Sequence, residues 1–420
     1  MNSTSQLVEH FFRHEYGRLV ALLTRDFGVR NLELAEDVIQ SAMSRALVVW
    51  PRSGTPTEPS AWLYRTAKNL AIDNLRRQKL AQGFLDAAIA VSEESSTTIA
   101  TLPHFDSEIG DETLRLLFLC CHPAIAVDSQ VALALKTVSG FGVHEIALGL
   151  LTTSANIEKR LTRAKEKMRE LHLELSEMTF TEVLERREAV LSTIYLIFNE
   201  GYAATTGDVP IRLDLCWEAI RLAKMVAAHP VADSPAAHAL VALLLLHTAR
   251  MDGRLDTEGG VVLLAQQDRT RWDGGLMREA MAYAQNAARG AELSRYHIET
   301  AIAWEHCRAP DFSGTNWERI VELYRLLLDR FATPMIRLNA AVARSYVEGP
   351  EVGHDLLLKL ADSDRKQVRP WWDCCMAQLN ERRGQHNSAR SHWLDALALA
   401  TAEPQRAFIR KQIERLSIKK

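Results

Sequence analysis

Residues 155–168, ANIEKRLTRAKEKM, sort under a helical period into a dry seam and a basic face. Ile157, Leu161, Ala164 and Met168 fall at i, i+4, i+7 and i+11, while Lys159, Arg160, Arg163, Lys165 and Lys167 point elsewhere. Such a helix docks by one side and offers cations to a partner from the other. Immediately upstream, HEIALGLLTTS (144–154) reads as a second, short helix with Ile146, Ala147 and Leu150 inward. Thr152, Thr153 and Ser154 then supply a turn and an N-cap. Two short helices joined by a tight turn, the second one basic, predict a helix-turn-helix whose second helix enters a DNA major groove. An ordinary solvated helix carries the same surface cations, so this segment alone leaves both readings open.

The chain of 420 residues is too long for one ordinary core and predicts two or three domains. Its 47% apolar and 25% charged content is that of a soluble globular protein. With a formal net charge of -3, any nucleic-acid binding must come from local basic patches offset by acids elsewhere. The longest conspicuous apolar run, VALLLL at 241–246, is far too short to span a bilayer. The N-terminus lacks a basic segment followed by an apolar core, so no export and a cytoplasmic location are expected. The six cysteines include two adjacent pairs, Cys120-Cys121 and Cys374-Cys375, neither with the spacing of a zinc site. Cys120-Cys121-His122 lies in an apolar helix ended by Pro123, which favours buried thiols over ligands. His144-Glu145 opens like a zincin motif, but Leu148 stands where the second histidine belongs, so no metal and no other cofactor is expected.

Stripes at i, i+3 and i+4 recur along almost the whole chain and alternating strand patterns are absent, which predicts an all-α fold. Residues 81–110 contain no Lys or Arg, carry several acids and are rich in Ser and Thr, and so read as an acidic flexible linker. It separates a first helical unit, 1–80, from a second, 111–175, that holds the helix-turn-helix; a long Ala- and Leu-rich region, 176–420, follows. In that last region Ala377, Ala389 and Trp393 sit where tetratricopeptide helix pairs place two small residues and one large one. Ala341, Gly353 and Leu357 repeat the spacing thirty-six residues earlier, close to the tetratricopeptide period.

In the first unit, residues 32–50 (LELAEDVIQSAMSRALVVW) offer Leu34, Val38, Met43 and Leu47 to a core and leave Glu36, Asp37, Gln40, Ser41 and Arg45 for outside work. A loop leads into AWLYRTAKNLAIDNLRRQK, where Trp62 and Tyr64 precede Arg65, Lys68, Arg76, Arg77 and Lys79 with Asp73 as the only acid. Aromatics beside a dense cationic face suit phosphate binding with stacking on unpaired bases. For Trp62 taken alone, a packed core indole is the favoured reading.

These segments together resemble a family. AEDVIQSAMSRALVVW, PSAWLYRTAKNLAIDNLRR and EIA…IEKRLTRAKEKMREL resemble regions 2.2, 2.3 to 2.4 and 4 of extracytoplasmic-function (group IV) sigma factors, in the same order. RLLFLCCHPAI, YLIFNEGY (195–202) and DRTRWD (268–273) further resemble the subgroup with a long, tetratricopeptide-like C-terminal extension. The resemblance implies two small sigma domains followed by a helical, repeat-like regulatory domain. It implies that Asp37, Val38, Gln40 and Arg45 meet the β′ clamp helices of core RNA polymerase, with a further contact to the β flap. Residues 52–59 would hold a base flipped from the minus-ten element. Trp62, Arg65, Lys68, Asn69, Asn74, Arg76 and Arg77 would grip that element, and Ser154, Asn156, Lys159, Arg160 and Arg163 the minus-thirty-five element. Leu151 stands where many region 4 turns have Gly, which implies a wider turn.

The resemblance thus implies a promoter-specificity subunit that catalyses no reaction, whose partners are core polymerase, promoter DNA and a protein or peptide on the C-terminal domain, with no membrane. A ligand-responsive helix-turn-helix regulator that acts without core polymerase is the alternative; the aromatic and basic stretch from Trp62 to Lys79 argues against it, because double-strand binders need no base-stacking unit. An enzyme in the C-terminal half would draw on Glu200, Asp208, Asp214, Asp268 and Asp273, but nothing orders them into an acid and base pair, and capping or ion pairing is expected of them.

Overall fold

The computed structural model describes residues 2–83, 108–150, 152–171, 179–202, 212–256, 260–369, 371–400 and 403–418. Most of the expected linker (84–107), Leu151 and Asp208 lie outside the described residues. The fold is all-α: the described elements are helical apart from one isolated bridge between Leu255 and Val261. The chain divides into two compact units, Met1–Thr193 and Ile194–Lys420.

The first unit opens with α1 (Asn2–Phe27), α2 (Leu32–Ser53) and α3 (Pro59–Gly83), which pack on one another. Gly28, at φ 79°, turns the chain after α1 in a conformation that a side chain would strain. The core face of α2 is the expected one only in part: Val38 is buried, Leu34 and Met43 are half-buried and Leu47 is not buried. Leu32, Ala35, Val38, Ile39, Ala42 and Ala46 are buried, Leu47 is 56% exposed, and Glu36 is buried instead of free. Leu47 follows Ala46 by about 100° of helix rotation, and the small Ala42 and Ala46 let α3 come close, so the apolar stripe runs through the alanines. α2 also continues through Pro51 to Ser53, which shortens the expected loop of 52–59 to the residues between Ser53 and Pro59.

Next come α4 (Glu108–Cys120), α5 (Val127–Thr137), α6 (Val143–Gly149) and α7 (Ser154–Glu170). Within the first unit the expected segments 1–80 and 111–175 touch, since α4 and α5 lie on α1 and α7 meets the turn after α1; α5 and α6 lie on α7. Gly17 of α1 makes the approach possible, because a Cβ there would stand 1.9 Å from the Val138 carbonyl oxygen. Cys120 and Cys121 are buried beside Thr137 and Thr193, and burial pushes the Cys121 thiol up to about 12, so both behave as packing groups. α8 (Phe180–Tyr202) carries the division between units within one helix.

The second unit contains α9 (Leu213–Ala228), α10 (Pro235–Ala249), α11 (Met251–Arg254), α12 (Gly274–Ala287), α13 (Arg295–Arg308) and α14 (Trp317–Phe331). α10 is apolar on nearly every side and is enclosed by α9, α12 and α13, the solution an all-round hydrophobic helix requires. Among the described residues no helix is long and apolar enough to cross a membrane. Then follow α15 (Pro334–Val347), α16 (Pro350–Leu358), α17 (Asp362–Val368), α18 (Trp371–Arg382), α19 (His386–Leu399) and α20 (Glu403–Ile418). α15 packs on α16 and α18 on α19. Ala377, Ala389 and Trp393 are fully buried in the second pair; Ala341, Gly353 and Leu357 are buried in the first. A Cβ on Gly353 would lie 2.6 Å from that of Ser345, so the close α15–α16 crossing depends on the glycine.

Candidate nucleic-acid interface

The helix-turn-helix is built as its residues dictate. The Glu145 carboxylate accepts from the Gly142 backbone amide at 2.7 Å and fixes the start of α6. A bond from the Thr152 amide to the Ala147 carbonyl, 3.0 Å, closes the turn, and the Thr153 hydroxyl caps α7 by accepting from the Asn156 amide at 3.2 Å. Ile157, Leu161, Ala164 and Met168 form the buried seam, each worth about 1.5–3 kcal/mol for a fully buried large side chain and less for alanine.

The cationic face of α7 is thinner than the sequence suggests. Lys159 and Arg163 are exposed and make no ion pair among the described residues. Arg160 reaches Asp128 at 3.2 Å, and the Asn156 side-chain amide donates to the Thr152 hydroxyl at 2.9 Å, with Ser154 half-buried beside them. Lys165 turns inward, donating to Glu36 of α2 at 2.7 Å and lying 3.9 Å from Glu33. Burial raises the Glu36 carboxyl above its ordinary range even though Lys165 pulls it down. Lys167 pairs with Glu170 at 3.0 Å. Sequence reasoning missed Glu33 and Glu36 as the acids that receive Lys165; their i, i+3 spacing on α2 was the only available signal.

On α3 the expected residues separate into two groups. Arg65, Asn69, Arg76 and Arg77 are exposed, with 65, 69 and 76 on one stripe. Trp62 is half-buried, its ring edge-on to Trp50 at 5.6 Å. Lys68 donates to Asp26 at 2.9 Å and lies over the Tyr64 ring, whose buried hydroxyl also donates to Asp26. Burial pushes the Asp26 carboxyl up, but the bonds from Lys68 and Tyr64 outweigh it and hold it below the usual range. Asn74 spends its side-chain amide on the Leu70 carbonyl at 2.9 Å. On α2, Asp37, Gln40 and Arg45 are exposed, whereas Val38 is 2% exposed and belongs to the core.

The carboxylates considered for an enzyme are dispersed. Asp214 pairs with Arg212 at 2.7 Å, Asp268 accepts from the Thr270 amide, and Asp273 caps α12 through Gly275 and Leu276. Asp373, His392 and Asp395 have metal-ligand spacing, but Arg369 already sits on Asp373 at 2.7 Å.

Residues 11–81 match the sigma-70 region 2 family, and residues 186–288 match a family of unknown function, DUF6596. The chain is 37% identical over 397 residues to an uncharacterised protein of Rhizobium meliloti (strain 1021), covering 92% of this chain and 91% of that one. It is 31% identical over 169 residues to RNA polymerase sigma factor CarQ of Myxococcus xanthus, covering 40% of this chain and 90% of CarQ. It is also 41% identical over 63 residues to ECF RNA polymerase sigma factor SigW of Bacillus subtilis (strain 168), which is 15% of this chain and 33% of SigW. No solved structure matches it significantly. With α2 and most of α1 and α3 lying in the segment that matches region 2, and an alignment to CarQ that spans nearly all of that protein, the chain belongs to the sigma-70 family of RNA polymerase sigma factors.

Proposed function

We propose that this sigma factor is of the extracytoplasmic-function type and that its tetratricopeptide-like C-terminal region, 176–420, regulates it in cis, by docking on the sigma portion or by recruiting a protein or peptide. In this reading residues 1–80 act as region 2 and residues 111–175 as region 4, in the cytoplasm, and the chain catalyses no reaction. Asp37, Gln40 and Arg45 face the β′ clamp helices of core polymerase. Arg65, Asn69, Arg76 and Arg77 hold the minus-ten element; Asn156, Lys159 and Arg163 address the minus-thirty-five element.

The observation that carries the reading is the exposed Arg65, Asn69, Arg76 and Arg77 face of α3 within the residues that match region 2. The buried Val38 and the paired Lys68 are better read as supports that set the helices than as direct contacts. Run-off transcription with purified core polymerase tests it: the full chain is expected to yield a promoter-dependent transcript, and no transcript from any promoter selected from the source genome would overturn it.

A further inference from the structure

Two motifs that promoter recognition does not use, YLIFNEGY and DRTRWD, meet in the second unit. Tyr195, Asn199 and Tyr202, at i, i+4 and i+7 of α8, line one wall of a cavity of about 470 Å³ between α8, α10, α13, α14 and α15. That volume lies within the range of about 300–1,000 Å³ typical of small-molecule sites. Arg250, after α10, lines the same cavity and is 8% exposed. Its guanidinium lies over the ring of Trp272, from the second motif, at 5.1 Å. Among the described residues that guanidinium has no hydrogen bond and no ion pair, and its Nε is buried without a partner. A buried cation ordinarily has an acid beside it.

Among the described residues the surrounding charges do not supply one. Glu299 also lines the cavity, but it is matched by Arg295 at 3.0 Å. Arg269 spends its guanidinium on the His306 and Ala309 carbonyls and the Thr315 hydroxyl. His247 and His306 face the cavity, and burial followed by the neighbouring arginines pushes both down to about 3. The charges acting on these two imidazoles are cations only. The lining also has an apolar part, Ile320, Leu327 and Ile336 with Trp317, whose ring meets that of His306 at 5.4 Å. Trp317 is held in place by stacking on Tyr346 at 4.2 Å.

We infer that the cavity is a binding site for a small organic monocarboxylate with a ring-sized apolar body, the carboxylate on Arg250 and the body against Trp317 and its aliphatic neighbours. The guanidinium provides planar donors that match a carboxylate, and the entering anion neutralises a charge that no described residue pairs. The bound carboxylate would also accept from the imidazoles of His247 and His306, which are neutral and so add donors without adding charge. This inference concerns binding by the second unit and does not rest on the cis-regulatory reading.

Calorimetric titration of the full chain with benzoate, 3-phenylpropionate and indole-3-acetate, each beside its primary amide, tests it. At least one carboxylate is expected to bind, with its amide tenfold or more weaker. Arg250→Gln should remove that preference, and Arg250→Lys should restore part of it. Far-UV circular dichroism and melting of each variant show whether the unit stays folded; if Arg250→Gln does not fold, the carboxylate-to-amide ratio on the parent chain decides alone. Equal binding of acid and amide, or no binding of any probe, would overturn the inference.

Discussion

Arg76 and Arg77 are exposed on α3 and make no ion pair among the described residues, whereas Lys68, earlier on the same helix, is tied to Asp26. The double variant Arg76→Ala with Arg77→Ala is therefore expected to weaken promoter complexes and to lower the log–log salt slope by about 0.9 for each phosphate that is no longer neutralised. Filter-binding across a salt series reads this, and an unchanged slope would remove these arginines from the phosphate backbone. Asn156 sits in the first turn of α7, where recognition helices reach deepest, and its amide is held by Thr152. Asn156→Ala should relax preference at one or two base pairs of the minus-thirty-five element, about 1–3 kcal/mol each. An equal loss on every promoter variant in a competition assay would make Asn156 a positioning group only.

Between elements, α7 meets α2 through Lys165 and Glu36, whose side chains are 12% and 5% exposed, with Glu33 3.9 Å from Lys165 and 3.8 Å from Arg169. Replacing Lys165 by Met strands a buried carboxylate, and breaking such a pair costs about 3 kcal/mol. The double variant Glu36→Gln with Lys165→Met is expected to regain most of that loss, since no charge is then left unpaired. Urea unfolding of the two single variants and the double variant closes the cycle. Additive losses would show that the two groups do not interact.

For the whole molecule, ending the chain after Tyr202 is expected to change transcription from a cognate promoter several-fold while the helices of the first unit keep their melting transition. Equal transcription by the shortened and full chains, in vitro and in cells, would make the second unit an independent module. Stability of that unit should also depend on pH through Glu200, whose carboxyl burial lifts from 4.5 to about 7. The folded unit keeps a proton that the unfolded chain releases near 4.5, so this contribution is complete below that value and is lost as pH rises through about 7. Glu200→Gln should flatten the fall in melting temperature between about pH 5 and pH 8. His247 and His306, pushed from 6.5 down to about 3, run the other way: the unfolded chain takes up their protons below 6.5, so their contribution falls as pH drops from there, and the difference between variant and parent chain isolates Glu200. An unaltered alkaline limb in the variant would show that Glu200 titrates normally.

The sequence by itself determined what depends on neighbours three or four residues away: the all-α fold, the α7 seam, the Thr153 cap, and the small residues at Ala377 and Ala389 beside Trp393. Side-chain direction on a helix follows from position alone, so the period carries that information. Tertiary structure decided which polar groups remain available. It took Lys165 to Glu36, Lys68 to Asp26 and Arg160 to Asp128, and it exposed Leu47. It also brought Tyr195, Asn199 and Tyr202 to the same cavity as Arg250. Each ion pair joins residues at least thirty-two positions apart in the chain, which helical periodicity cannot match; for Lys165 and Glu36 the cost of burying an unmatched charge selects the neighbour.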